Sequence, residues 1–243
     1  MEDLDILAFG VHPDDVELGC SGTLLKHIAL GYKVGLVDLT RGELGTRGSA
    51  DIRTQEALNA AQKLQAICRI NLDMADGFFQ DNKENQLKII EVLRRFKPKM
   101  VLLNAIHDRH PDHGRAAKMV ADACFYSGLA KIQTHLNEIN QEAWRPQFVY
   151  HYIQDYNLKP DLVVDISAFM EEKLALVKTF KSQFYLPSEI AYRGEKETPI
   201  SGADFLEFLS AKAKSYGREA GFTYAEGFTT VRTPGIKDLF DLC

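Results

Sequence analysis

The feature that most restricts the fold of this 243-residue chain is a regular alternation of short apolar runs with longer amphipathic stretches. Three runs are short and aliphatic, as strands buried on both faces tend to be: residues 4–11, 33–40 and 99–106. Three longer stretches place apolar side chains at helical spacing: residues 15–30, 51–66 and 85–97. Because this order joins parallel strands by right-handed crossovers, the sequence predicts an α/β fold. We expect a Rossmann-like, doubly wound, mostly parallel sheet with helices on both faces.

The rest of the chain extends the same pattern. Further strands are predicted at residues 147–154 and 161–166, and further helices near 168–181 and 202–217. The closing tract from Gly221 to Cys243 is rich in Gly, Thr and aromatic residues and is predicted to be irregular. Since no repeat or low-complexity linker divides the chain, we expect a single domain spanning residues 1–243.

The composition argues against several classes of partner. Acidic residues outnumber basic ones by 34 to 29, and no Lys/Arg cluster marks a surface for nucleic acid or an anionic membrane. The acidic N-terminus lacks a basic and apolar leader, and no run is long enough to span a bilayer. The 4 cysteines show no CxxC spacing, which suits a reducing compartment. We therefore predict a soluble, cytoplasmic protein whose partner is a small molecule.

Two similar tetrapeptides follow two of the predicted strands. They are His-Pro-Asp-Asp at residues 12–15 and His-Pro-Asp-His at residues 110–113. Proline favours extended geometry in the residue before it and is well tolerated at the first helical position, so each histidine should end a strand and each acid should open a helix. In open parallel sheets, ligands bind at the carboxyl ends of the strands. The two runs should therefore project their side chains into one crevice.

Histidines and aspartates at such positions indicate a metal site. Each aspartate alone is equally typical of a helix cap, because the helix dipole favours acids in the first turn. Capping does not explain why both runs combine histidine, proline and aspartate at equivalent positions. A metal-activated hydrolase needs three protein ligands, an open position for water and a nearby base, and the two runs supply enough groups for all of these.

At these residues the chain resembles the LmbE-like, or PIG-L, family of zinc-dependent N-acetylglucosaminyl deacetylases. The family's first motif, His-Pro-Asp-Asp with a Glu two residues on, stands at residues 12–17, and its second, His-Pro-Asp-His, at 110–113. The resemblance continues through the segments at 40–43, 53–56 and 76–77. It covers essentially the whole chain.

Three later segments resemble one branch of that family. They are Lys-Ser-Gln-Phe at residues 181–184, Thr-Pro-Ile-Ser-Gly at 198–202, and Tyr-Ala-Glu-Gly-Phe at 224–228. These segments are similar to the deacetylases of bacillithiol biosynthesis, which remove acetate from N-acetylglucosaminyl malate. A deacetylase of another N-acetylglucosamine conjugate is the alternative within the family.

The resemblance implies that His12, Asp15 and His113 are the metal ligands. Two imidazoles and one carboxylate suit Zn²⁺ and leave a fourth position for water, whose pKa the metal can lower toward about 7. Iron(II) is the alternative ion. By the same likeness we expect a homo-oligomer, with a hexamer as the form that relatives often adopt.

The neighbouring residues would then carry the proton transfers. Asp14 cannot easily bind the same ion as Asp15, so we expect it to act as the general base for the attacking water. His110 would stabilise the oxyanion or protonate the leaving amine, and Asp112 would hydrogen-bond that imidazole and hold its tautomer. Some mycothiol-pathway relatives carry a tyrosine where this chain has Asp108, so a tyrosine-assisted oxyanion is not expected from that position.

Five residues are candidates for contact with the substrate. The resemblance places Arg53 against the substrate, and a guanidinium suits sugar hydroxyls or carboxylates. Glu43, in the Gly-rich loop after the second predicted strand, is a candidate acceptor for sugar hydroxyls. Arg109, Tyr192 and Arg193 are candidates for binding the malate carboxylates.

Two functions of other classes remain open at this point. Two histidines and one carboxylate also describe the ligand triad of non-haem iron(II) oxygenases, in which Asp14 would have no obvious task. A nucleotide-binding module is less favoured, because no G-x-G-x-x-G follows the first strand.

Overall fold

The computed structural model describes residues 3–184 and 196–241. The strands in these ranges are β1 Ile6–Gly10, β2 Val34–Thr40, β3 Cys68–Met74, β4 Met100–Leu103, β5 His135–Leu136, β6 Ile139–Asn140, β7 Phe148–Tyr152, β8 Leu162–Asp165 and β9 Ala225–Thr230. The α-helices are α1 Asp15–Ala29, α2 Ala50–Leu64, α3 Lys83–Phe96, α4 Pro111–Tyr126, α5 Met170–Val177 and α6 Phe205–Ala220.

The central sheet confirms the predicted α/β fold. Within the described ranges it has 7 strands in the order β3-β2-β1-β4-β7-β9-β8. The first five of these run parallel, whereas β9 is antiparallel to both of its neighbours. The chain proceeds from β1 outward to β3 and then returns to place β4 on the other side of β1. This reversal of strand order opens a crevice at the carboxyl ends of β1 and β4.

Helices cover both faces of the sheet, as β1 shows. Its side chains alternate, so that Leu7 and Phe9 join a core cluster with α3 and α4. Ile6 and Ala8 join a second cluster with α1, α2 and α5. All four side chains are at most 2% exposed, so this strand is buried on both faces, and its continuous apolar run follows from that burial.

The prediction of an irregular closing tract was wrong over residues 225–230. This segment forms β9, which pairs with β7 on one side and β8 on the other. Strand β3 was also absent from the predicted elements. It lies at the sheet edge, where half-exposed side chains alternate with more exposed ones, so it lacks the continuous aliphatic run that marks the inner strands.

A distant carboxylate supports a kink in α1. The helix departs from helical geometry at Cys20, whose φ is -146°, and the amides of Gly22 and Thr23 then begin a second helical segment. Both amides donate to the carboxylate of Glu226 on β9, at 3.0 and 2.7 Å. Lys173 on α5 pairs with the same carboxylate at 2.5 Å. Glu226 of β9, paired with Lys173 of α5, therefore accepts the hydrogen bonds of the amides that begin the second segment of α1.

Among the helices that the structure describes, none combines the length and the apolar character needed to cross a membrane.

Candidate metal centre and catalytic site

Both His-Pro-Asp motifs lie in the crevice between β1 and β4, as their position after these strands predicted. The ring centroids of His12 and His110 are 4.7 Å apart, and those of His110 and His113 are 5.2 Å apart. These side chains line a cavity of about 350 Å³. The cavity's size falls in the range of small-molecule sites.

The first motif turns sharply at Asp14. This residue has φ 130° and ψ -21°, a backbone conformation that residues other than glycine rarely adopt. The turn directs the carboxylate of Asp15 back toward the chain, where one of its oxygens accepts hydrogen bonds from the amides of Val11 and His12 at 2.9 and 3.0 Å. Such a conformation costs about 1–3 kcal/mol and persists where surrounding contacts determine it.

Asp15 is the most heavily hydrogen-bonded carboxylate of the crevice. Besides the two backbone amides it accepts from Asn104 and Gln154, each at 3.0 Å, and lies 3.1 Å from Nε2 of His113. Burial alone would raise the pKa of Asp15, but the charges and hydrogen bonds of His113 and His12 outweigh it and hold this pKa well below its usual range. Asp15 is thus held as a carboxylate aimed at both histidines.

His113 is oriented by a second carboxylate. Its Nδ1 lies 2.5 Å from Asp108, so Nε2 faces Asp15. Burial lowers the pKa of His113, but Asp15 and Asp108 together raise it to about 10 in the metal-free protein. Metal-ligating histidines commonly use their second ring nitrogen in this way. Asp108 was noted in the sequence only as a departure from the family, and its contact with His113 was not predicted.

His12 meets a carboxylate that the motifs do not contain. Its Nε2 lies 3.0 Å from Asp76, and its Nδ1 lies 3.7 Å from Asp15. Burial opposes ionisation of Asp76, yet His12 lowers the pKa of this carboxyl to about 2. Asp76 follows β3, and because that strand was not predicted, its position beside the motifs could not be foreseen.

The donor set fits a divalent metal ion. The ligand atoms of His12, His110 and His113 all lie within 4.8 Å of one another, and those of His12, Asp76 and Asp112 form a second such group. The predicted ligand Asp15 contacts both His12 and His113. Imidazole and carboxylate donors suit zinc and iron(II) alike, and the choice of three ligands among these neighbours stays a prediction.

Asp14 lies beside the predicted ligands and is paired with a cation. Its carboxylate accepts a hydrogen bond from Nη2 of Arg53 at 2.7 Å and is 2% exposed. Burial raises the pKa of Asp14, and the charge of Arg53 acts against this rise. The guanidinium packs so closely on Gly42, at φ +64°, that a Cβ there would lie 2.3 Å from it. Arg53 therefore lines the cavity next to Asp14.

His110 caps helix α4 with its side chain. Its Nδ1 accepts a hydrogen bond from the backbone amide of Asp112 at 3.3 Å, so the neutral ring carries its proton on Nε2. Burial and the other two histidines of the crevice lower the pKa of His110. The carboxylate of Asp112 was expected to hold this tautomer, but it instead accepts from the amide of Gly77 at 2.9 Å and approaches Arg115. The amide, and not the carboxylate, contacts the ring.

Of the remaining candidate substrate residues, Arg109 lines the cavity and Glu43 does not. Arg109 lines the cavity and donates from Nε to Asp155 at 2.8 Å. The carboxylate of Glu43 accepts from the amides of Asp76 and Arg41, at 2.8 and 3.3 Å, and Glu43 is absent from the cavity wall. Its contacts tie two loops together, so the structure does not bring it to the other candidates. Tyr192 and Arg193 lie outside the described residues.

Clustered imidazoles and carboxylates with an additional buried carboxylate beside them are typical of metal-dependent hydrolases. A family model described as GlcNAc-PI de-N-acetylase, PIG-L, matches residues 7–124. Diacetylchitobiose deacetylase of Thermococcus kodakarensis is 30% identical over 241 residues, covering 95% of this chain and 84% of that protein. The chain therefore belongs to the PIG-L family of deacetylases.

Two further similarities widen the comparison. The crystal structure of a conserved protein from Thermus thermophilus matches with a TM-score of 0.83 and 33% identity, covering 97% of this chain and 98% of that one. 4-Oxalmesaconate hydratase of Pseudomonas putida is 25% identical over 199 residues, covering 74% of each chain. The family resemblance seen in the sequence is confirmed, whereas the bacillithiol branch remains a prediction.

Proposed function

We propose that this protein is a metal-dependent amide hydrolase that removes acetate from an N-acetylglucosaminyl conjugate. The observation that carries the proposal is the convergence of His12, Asp15 and His113 in one crevice with Asp14 buried beside them. Membership of the PIG-L family and similarity to a protein named diacetylchitobiose deacetylase support the same reaction.

His12, Asp15 and His113 would hold the ion, with zinc as the proposed metal and iron(II) as the alternative. A divalent ion bound there supplies a nucleophilic water of lowered pKa and polarises the amide carbonyl. The contact between His113 and Asp108 fixes which ring nitrogen is available to the metal.

Asp14 takes up a proton from the attacking water while the oxygen of that water adds to the amide carbon. The adjacent guanidinium of Arg53 opposes the rise in the pKa of Asp14 that burial causes, and it fixes the direction of the Oδ2 atom of Asp14. After addition, the C–N bond breaks and the sugar amine accepts a proton, which leaves acetate and a free amine. A positioned carboxylate of this kind contributes about 10²–10⁴-fold to such a rate.

His110 acts on the opposite side of the reacting amide. Because Nδ1 is committed to the amide of Asp112, Nε2 is the nitrogen left to donate toward the carbonyl oxygen or the leaving amine. The lowered pKa of His110 keeps the ring neutral near pH 7, where it is a hydrogen-bond donor without a full charge.

We propose N-acetylglucosaminyl malate as the substrate, with an aglycone carboxylate near Arg109. Arg109 stands at the cavity wall with its guanidinium partly exposed, and Tyr192 and Arg193 are proposed as further ligands of the malate group. Sugar contact by Glu43 would require its carboxylate to leave the two amides that it now binds.

Release of acetate tests this function directly. The purified protein would be assayed with N-acetylglucosaminyl malate, diacetylchitobiose and free N-acetylglucosamine, each with and without a chelator. We expect acetate in the metal-loaded samples only, with the malate conjugate preferred. Equal rates on all three substrates would contradict the malate assignment, and no acetate from any would contradict the deacetylase assignment.

The same samples distinguish two other activities. Hydration of an unsaturated dicarboxylic acid, without acetate release, would place the protein with its hydratase relative. Turnover that requires iron(II) and oxygen, and is absent with zinc under anaerobic conditions, would indicate an oxygenase instead.

A further inference from the structure

Lys212 on α6 joins the C-terminal helix to the loop that follows β7. Its Nζ donates to the backbone carbonyls of Gln154, Asp155 and Tyr156, the last two at 3.1 Å. An ammonium group has three donors, so these three acceptors use its entire hydrogen-bonding capacity. None is left for a substrate, although Lys212 forms part of the cavity wall.

Each of the three loop residues held by Lys212 contacts a member of the candidate site. Gln154 donates from Nε2 to Asp15 at 3.0 Å. Asp155 accepts from Arg109 at 2.8 Å. The amide of Tyr156 donates at 2.8 Å to Asp108, the carboxylate that orients His113. One side chain on α6 thus fastens a loop that reaches two predicted ligands and one predicted substrate residue.

We propose that Lys212 is a positioning residue that holds Gln154, Asp155 and Tyr156 in the arrangement required by the metal centre. The inference rests on the proposed function, since it assigns the loop's task to the same site. Arginine should not replace it, because a planar guanidinium cannot direct donors at three carbonyls arranged around one point.

A purely structural role and a positioning role for Lys212 predict different results. Burial lowers the pKa of Lys212 to about 8, although Asp108 and Asp155 act in the opposite direction. A methionine of similar length would fill the same volume but would leave the carbonyl oxygens of Gln154, Asp155 and Tyr156 without their donor. The two roles are separated by metal affinity in the folded variant, because a purely structural role lowers only the free energy of unfolding, whereas the positioning role also weakens metal binding.

Metal affinity is the first readout. The variant Lys212→Met, compared with the parent in competition against a chromophoric chelator, should bind zinc about 10–100-fold more weakly, as changes to groups that support metal ligands do. The variant Lys212→Arg should show a similar loss. The control is Lys214→Met on the same helix, whose exposed ammonium lies over the ring of Tyr224 and which should bind like the parent. Parental affinity and kcat in Lys212→Met would overturn the proposal.

Hydrogen exchange in the metal-free protein gives a readout that does not depend on the proposed function. The Tyr156 amide should exchange faster in Lys212→Met than in the parent, and by more than any fall in the urea midpoint of unfolding accounts for. If Lys212→Met fails to fold, Lys212→Gln replaces it, and unchanged exchange at Tyr156 in that variant would equally overturn the inference. A parent without deacetylase activity but with faster exchange in the variant would count against the proposed function alone.

Discussion

At the scale of single residues, the backbone of Asp14 stands out within the described part of the chain. Its positive φ is a conformation that asparagine and glycine accept more readily than aspartate does, yet the carboxylate there is buried against Arg53. Local strain of this kind persists when neighbouring contacts over-determine it. The geometry and the chemistry proposed for Asp14 can therefore be varied separately.

Replacing Asp14 with asparagine should preserve the turn and bound metal but lower kcat by about 10²–10⁴-fold, since the amide cannot accept the proton. Steady-state rates and metal content per subunit measure the two effects. Asp14→Gly is the comparison variant, because it relieves the backbone but leaves the buried guanidinium of Arg53 without its carboxylate. It should be inactive and should lower the urea midpoint. An Asn variant with parental kcat would contradict the role of general base.

The protonation of His113 predicts how metal binding depends on pH. In the metal-free protein its pKa is raised to about 10, so the stability that its proton contributes is complete below the unfolded value near 6.5 and is lost as pH rises through the folded value. A metal must displace this proton, so its affinity should rise about tenfold per pH unit between these values.

Calorimetric titration with zinc at pH 7.5, in buffers of different ionisation enthalpy, measures that displacement. We expect release of about one proton per metal from this residue. His135→Gln, which changes an exposed histidine in the short β5 strand, is the control and should release the same number. An affinity that does not vary with pH would contradict the assignment of His113 as a ligand.

The two motifs were predictable, but several residues that support them were not. The shared tripeptide His-Pro-Asp after two recognisable strands singled out the two motifs, and the family resemblance implied that His12, Asp15 and His113 are the ligands. Asp76 lies in a segment that resembles the family but had no predicted role, and Gln154, a single glutamine in a loop, carries no signal of its own. Their contacts depend on which strands become neighbours, a property of the whole sheet.

At the scale of elements, the inner strands were recognised because burial on both faces leaves a continuous aliphatic run. Strand β3 shows instead the alternation of an edge strand, from Cys68 to Met74, and this alternation is a strand signal in a segment that lacks a continuous aliphatic run. Strand β9 contains glutamate, glycine and two threonines within six residues, and only its two neighbours make it a strand.

The packing of α1 on β7 predicts an unusual effect at Gly19. Replacing glycine with alanine in an exposed helix stabilises by about 1 kcal/mol. Here the new Cβ would lie 2.2 Å from Cδ2 of the buried Tyr152 ring, so we expect Gly19→Ala to lower the free energy of unfolding by about 1–3 kcal/mol. Urea denaturation measures it. Asn59→Ala, on the exposed side of α2, should be neutral, and a Gly19→Ala variant as stable as the parent would contradict the packing described.

At the scale of the whole molecule, the candidate metal centre draws its predicted ligands from the loops after β1 and β4, and Asp76 after β3 and Gln154 after β7 contact those ligands. A bound ion should therefore stabilise the complete fold, by about 4 kcal/mol at a free concentration one thousand times its Kd. Differential scanning calorimetry should show Tm falling on chelation and recovering when zinc is restored. In His12→Ala the Tm should not respond to zinc, and a full response there would indicate that the ion binds elsewhere.

The carboxylate of Glu226 has a consequence for the order in which the chain assembles. It binds the amides of Gly22 and Thr23, from which it is separated by 204 and 203 residues. Contacts so distant along the chain close late, because the intervening segment must first be ordered. During synthesis from the N-terminus, the first motif emerges early. The two amides of α1 that bind Glu226 lack this acceptor until β9 has been made. We therefore expect the candidate site to be completed only after β9 has paired, although the first motif directly follows β1.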